Sequence, residues 1–259
     1  MWVNTLNPVI FELGPLEVRW YGVAYLLGAL FAYWALISAQ KKGKIALSKN
    51  EISDLISWLV LGVLIGSRLF YVLFYNPLYF VEQPWKIIAV WEGGMSFHGG
   101  FVGIVVAAYL FCKRKSMPLI HLADILSAPL MAALALGRVA NFINGELWGR
   151  PSNAAWCVVF PAADDICRHP YQLYDGMKRF ILAVWLYYLG RGEYPTGFVF
   201  WNLVFFEGLG RFVLDFWKEV GPHVQEPLVL FLTPGQWMSL AMVAVSGWFL
   251  FKHLTRFKK

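Results

Sequence analysis

Arginine, histidine, asparagine and glutamate gather in two glycine-rich stretches, WEGGMSFHGG (91–100) and GRVANFINGELWGRPS (137–152). Arginine presents a planar fork of N–H donors that fits a phosphate or carboxylate, usually through two bonds at once. Histidine titrates near neutral pH and can carry a proton. Glycine lets backbones approach closely and turns N–H groups toward a ligand. Arg138 with Asn141, Asn144, Glu146 and Gly149, and His98 with Gly99, therefore suit a phosphate ester beside a proton acceptor. No GxSxG or HExxH motif occurs, and His98 has no second histidine at metal spacing, so the expectation is no metal and no cofactor.

The elements that must hold these groups are apolar. The chain is 59% hydrophobic and 15% charged, against roughly half and a quarter in soluble domains. A span needs about 20 mostly apolar residues. Seven candidates fit: 21–39, 55–75, 97–112, 119–139, 171–190, 197–217 and 235–251. Their continuous runs predict helices rather than a barrel. The reading is an all-α polytopic membrane protein, one integral domain over 1–259, with a small outer loop region around 141–170. The N-terminus shows no cleavable signal pattern.

Basic residues set the orientation. Lys41, Lys42, Lys44, Lys49, Lys113, Arg114, Lys115, Arg191, Lys252, Arg256, Lys258 and Lys259 fall on one side, and Arg19, Lys86, Arg150, Arg168 and Lys218 on the other. The richer side is expected in the cytoplasm, with the N-terminus outside and the C-terminus inside. The net charge of +6 is accounted for mostly by those loops, and no nucleic-acid motif appears.

With that topology Arg68, Arg138 and Arg211 fall in the outer half, level with Tyr21, His98, Gln172, Tyr174, Asp175 and Gln236. Charge at membrane depth is costly and marks function. A lone arginine near a helix end snorkels to headgroups, but three at one level with asparagines and a histidine predict a shared polar cavity. Lys178 and Arg179 either snorkel or sit beneath it. Arginines just under the outer headgroups suggest a phospholipid ligand. A transporter or scramblase is the competing reading; it calls for polar residues continuing to the inner side or for an internal repeat. The inner halves, ALALG and FVFWNLVFF, read as apolar.

Cys112 reads as a packing residue. Cys157 and Cys167 lie in the outer loop and can pair there, which the sequence leaves open. Segment 76–94 is too polar to span; it reads equally as an amphipathic stretch in the interface or as a loop packed on the bundle.

GGMSFHGG followed by GRVANFINGELWGR resembles the bacterial prolipoprotein diacylglyceryl transferase family, and the likeness continues through PVIFELGP, WYG, GSRLFYVLFYN, RHPYQLYD, GLGRFVLDF and TPGQ. The resemblance implies an inner-membrane enzyme that moves the diacylglyceryl group of phosphatidylglycerol to the lipobox cysteine of a prolipoprotein signal peptide, releasing glycerol phosphate. It implies Arg138 and Arg211 as the phosphate clamp and His98 as base or headgroup ligand. It places Tyr21, Arg68, Gly99, Asn141, Asn144, Glu146, Gly149, Tyr174 and Asp215 in substrate binding. The chain departs from the family pattern at Tyr171, where serine is usual, and at Asp175 and Asp215, where glutamate is usual.

Overall fold

Several of the long helices begin where a side chain satisfies orphan N–H groups. The computed structural model describes residues 2–14, 16–219 and 230–257. They fall into two compact units, Met1–Phe31 with Ala123–Lys259, and Ala32–Leu122. Lys258 and Lys259, counted in the cytoplasmic tail, lie outside the described residues.

In the second unit, α2 (Lys49–Phe74) starts at Ser48 in a reciprocal capping box with Glu51. Helix α4 (Phe97–Arg114) starts at Ser96, whose hydroxyl accepts from Gly99 N at 3.4 Å. The two helices pack through facing glycines. A Cβ on Gly103 would sit 2.0 Å from Gly62 O, and one on Gly99 2.3 Å from Gly66 O. Two GxxxG faces are thus pressed backbone to backbone. Between them come α3 (Pro77–Glu82) and two 3-10 turns, Pro84–Ile88 and Val90–Glu92. Leu78, Val81, Trp85, Ile88 and Trp91 are exposed along this stretch, as an interfacial segment requires.

In the first unit, α5 (Leu119–Ile143) enters from the second unit at Ala123. It is followed by α6 (Tyr171–Leu189), α7 (Phe198–Leu214) and α8 (Pro234–Phe257). Asp124 caps α7 from α5, accepting from Gly197 N and from Phe200 N at 2.8 Å. Helix α8 carries its own reciprocal cap between Thr233 and Gln236, at 3.1 and 3.0 Å. Met131, Leu182, Leu186, Val199 and Leu203 form the core joining α5, α6 and α7. Helix α1 (Trp20–Lys41) begins in this unit, and Gly28 lets it approach Ala133 of α5.

All seven sequence candidates form helices, but they differ in how far they carry a membrane argument. Trp20–Lys41, Lys49–Phe74 and Leu119–Ile143 are long and apolar enough to cross a bilayer. Helix α7 has 17 residues, and α6 carries Asp175, Lys178 and Arg179.

The helical expectation missed five short strands among the described residues. β2 (Val9–Leu13) and β3 (Leu16–Arg19) form an antiparallel hairpin turning at Gly14, which holds φ +61°. β1 (Trp2–Val3), β4 (Val158–Val159) and β5 (Cys167–Arg168) form a second sheet in the order β1-β4-β5. Strands of two to five residues leave no trace in a window long enough to find a span. Cys157 and Cys167 are disulfide-bonded across this sheet with Cα atoms 5.5 Å apart, and Cys112 is free and buried.

Candidate active site

The end of α5 and the turn after it build the centre. Asn144 N bonds Ala140 O at 2.9 Å and Gly145 N bonds Phe142 O at 3.0 Å, closing the helix. Gly145 and Leu147 then take φ +66° and +56°. The left-handed conformation costs Leu147 roughly 1–2 kcal/mol. Its result is that Glu146 folds back over the helix end, its N–H on Asn141 O at 3.1 Å.

Glu146 is the acceptor at which three side chains meet. Tyr21 donates its hydroxyl to Glu146 Oε1. Asn141 Nδ2 donates to the same oxygen at 2.9 Å and also to the Tyr21 hydroxyl, and Asn144 Nδ2 reaches it at 3.5 Å. With its amide so oriented, Asn141 turns Oδ1 to Arg138 Nη1 at 3.2 Å. Arg138 Nε donates to Asp175 Oδ2 at 2.6 Å. Gly176 gives α6 room to come this close, since a Cβ there would stand 3.2 Å from Arg138 Cβ. Gln172, fully buried, donates Nε2 to Glu146 O at 2.7 Å. One nitrogen of Arg138, Nη2, is left without a hydrogen bond among the described residues.

Arg211 is freer still. Among the described residues its guanidinium makes no hydrogen bond or ion pair. It lies near Gly235 at the start of α8, where a Cβ would be 3.5 Å from Arg211 Nη2 and 2.8 Å from Asp215 Oδ2. Asp215, on the same helix face at i+4, accepts from the Tyr171 hydroxyl at 3.2 Å. The shorter carboxylate thus turns to Tyr171 rather than to its arginine.

The loop between α5 and α6 is braced around Gly149, which is clamped between two backbone segments: a Cβ there would lie 2.7 Å from both His169 O and Trp217 O. Arg168 donates to Asp164, to Glu219 at 3.2 Å and to Gly149 O at 3.4 Å. Its guanidinium holds the Asp164 carboxyl below the usual carboxylate range. The Tyr174 hydroxyl accepts from Trp156 Nε1 at 2.7 Å and lies 3.1 Å from His169 Nδ1. A hollow of about 660 Å³ opens beside it, lined by Trp2, Phe142, Trp156, Cys157, Leu173 and Tyr174 among others.

The remaining candidates belong to the second unit. His98 is exposed on the first turn of α4, next to the rings of Phe70 and Phe97. Gly99 is spent on helix packing against Gly66. Arg68 is buried, and its guanidinium is saturated. It donates five hydrogen bonds to the carbonyls of Lys86, Ile87, Ala89, Gly93 and Gly94. All five N–H groups of the fork are used in pinning 86–94.

A buried ion cluster joins α6 to α7. Arg179 Nη2 meets Glu207 Oε1 at 2.7 Å, and Lys178 Nζ lies 2.8 Å from Glu207 Oε2 and 2.9 Å from Asp175 Oδ1. Lys178 and Arg179 therefore do not snorkel; they sit beneath the centre. Glu207 was the residue that sequence reading overlooked. Its signal was the spacing of four in Glu207, Arg211 and Asp215, which puts all three on one helix face.

These features define a mostly helical membrane protein whose polar centre, carrying two arginines with donors unpaired among the described residues, suits an anionic ester. A model of the prolipoprotein diacylglyceryl transferase family matches residues 8–252. The chain is 43% identical over 215 residues to the phosphatidylglycerol–prolipoprotein diacylglyceryl transferase of Geobacter sulfurreducens, covering 83% of each. It is 41% identical over 251 residues to that of Cupriavidus metallidurans, covering 93% of this chain and 91% of the relative. It is 39% identical over 245 residues to that of Wolbachia pipientis subsp. Culex pipiens, covering 92% of each. The chain belongs to the prolipoprotein diacylglyceryl transferase family and is a transferase.

Proposed function

We propose that this transferase moves the sn-1,2-diacylglyceryl group of phosphatidylglycerol to the thiol of the lipobox cysteine in a prolipoprotein signal peptide. The thiol sulfur forms a bond to the glycerol carbon, the carbon–oxygen bond to phosphate breaks, and glycerol phosphate leaves. The observation that carries this reading is the pair of arginines with unspent donors, Arg138 and Arg211, in the unit that holds the Tyr21–Asn141–Glu146 network. Arg138 and Arg211 clamp the phosphate and stabilise the charge that grows on the leaving oxygen. Tyr21, Asn141, Asn144 and Glu146 hold Arg138 in register and meet the headgroup. Gly149 and Tyr174 shape the outer loop, and Asp215 acts through the α8 end of the site.

The thiol, near pKa 8.5 when free, needs a proton acceptor or a positive field. His98 is assigned the first role, and the arginines supply the second. Arg68 and Gly99 act at one remove, by fixing segment 86–94 and the start of α4. The arrangement is seven spans in the bacterial inner membrane, N-terminus outside and C-terminus cytoplasmic, with the site at the outer leaflet. The basic loops support it through the positive-inside rule.

The test uses purified protein in phosphatidylglycerol micelles with a lipobox peptide. A diacylglyceryl gain in peptide mass with equimolar glycerol phosphate is expected. An intact protein that binds the lipid without modifying the peptide would favour the transporter reading.

A further inference from the structure

Asp175 is 1% exposed and faces three cations at once: Arg138 Nε at 2.6 Å, Lys178 Nζ at 2.9 Å and Arg179 Nη1 at 3.2 Å. A carboxylate buried among three cations divides its two oxygens between them, and each cation competes the less for it the more it is paired elsewhere. Here Arg138 and Arg179 both point at Oδ2. What keeps that oxygen for Arg138 is Glu207, reaching across from α7. It takes Nη2 and Nε of Arg179 at 2.7 and 3.1 Å, leaving only Nη1 toward Asp175. It also draws Lys178 Nζ to a bridge between the two carboxylates, in contacts that have ion-pair distances but not hydrogen-bond angles.

Helix packing is built to admit this bridge. Gly210, one turn after Glu207, lies where a Cβ would stand 2.5 Å from Lys178 Cδ. The lysine stem therefore crosses α7 over a glycine. Such buried ion networks are poor stabilisers. Replacing one with apolar residues of similar size is often neutral, whereas removing one partner strands a charge. A device of this cost, one helical turn beneath a reactive arginine, is better explained by what it positions than by what it stabilises.

We propose that Glu207 is a positioning residue of the transfer reaction, which takes a share of Lys178 and Arg179 from Asp175 so that Asp175 can hold Arg138. This rests on the reaction proposed above. Glu207 touches neither lipid nor peptide; it acts through the cations on α6. The same arrangement leaves three cations against two carboxylates, a surplus of positive charge beneath a site for an anionic ester.

The test is the peptide-modification assay on full-length protein in phosphatidylglycerol micelles, comparing wild type, Glu207→Gln and the exchanged pair Arg179→Glu/Glu207→Arg. Transfer by wild type tests the reaction itself, and the variants test the inference separately. Glu207→Gln keeps the shape but frees both cations to compete for Asp175. Its kcat is expected to fall about tenfold in the folded protein, with KM for lipid changed less than threefold and a lower melting temperature because two cations lose a carboxylate. The exchanged pair preserves an Arg–Glu pair but puts a carboxylate beside Asp175. It should not regain activity, whereas a pair that only ties α6 to α7 would be rescued by the exchange. Should the exchange fail to fold, Glu207→Gln decides alone. Wild-type kcat in a folded Glu207→Gln protein, or recovery in the exchanged pair, would overturn the proposal.

Discussion

Arg68 and Arg138 look alike in the sequence, each a lone arginine late in an apolar run, yet the two units use them in opposite ways. Arg68 gives every N–H to backbone carbonyls of 86–94. Arg138 gives one nitrogen to a carboxylate and one to an amide, and keeps Nη2 open. The first is complete without a ligand. The second is held on two sides and left open on the third among the described residues, as the proposed phosphate clamp requires. On the proposed reaction, the number of spent donors, rather than burial or depth, separates a positioning arginine from a reactive one.

That contrast is most easily broken at the site. Arg138→Ala should lower kcat/KM for peptide modification by roughly 100- to 1,000-fold, with a normal melting temperature, in line with losing one charge-stabilising donor. Arg211→Ala should fall in the same range, and Arg211→Lys should recover only part of it, because an ammonium cannot offer a fork. Arg68→Ala should do the reverse. It strands several carbonyls, so a stability loss on the order of 2–4 kcal/mol is expected, read as a lower melting temperature and faster proteolysis within 84–94. Its folded fraction should stay within about tenfold of wild-type activity.

Smaller effects sharpen the picture of the loop between α5 and α6. Reducing the Cys157–Cys167 disulfide releases a ten-residue separation, worth about 3 kcal/mol at most in the entropy model. The loss should appear as faster cleavage between the two cysteines, with α6 and α7 unaffected. The pH effect is smaller again. Arg168 holds the Asp164 carboxyl below its ordinary value, so this pair stabilises the loop above about pH 4 and loses its contribution as pH falls through the depressed value. Loop protection should be flat from pH 7 to 5 and drop in acid, and Asp164→Asn should remove that slope.

The helices were legible because long apolar runs and their ends are written locally. The run expected at 97–112 forms a helix over Phe97–Arg114, and that at 171–190 one over Tyr171–Leu189. The cluster of Tyr21, Arg138, Asn141 and Glu146 was legible too, because residue type and spacing within GRVANFINGE place Arg138 and Asn141 on one helix face. The use of Arg68 was not, since its partners are carbonyls, which every residue possesses. Nor was Glu207, a single carboxylate inside FVFWNLVFFEGLG, whose meaning depends on Lys178 and Arg179 crossing from another helix. The short strands escaped because the disulfide and inter-strand pairing stabilise them, not their own pattern.

The most direct test sets the two arginines side by side: kcat/KM for transfer from phosphatidylglycerol to a lipobox peptide by purified, folded Arg138→Ala and Arg68→Ala. A loss of at least 100-fold in the first and less than about tenfold in the second is the expected result. Equal losses, or an Arg138→Ala protein within a few-fold of wild type, would contradict the claim that open donors mark the reactive arginine.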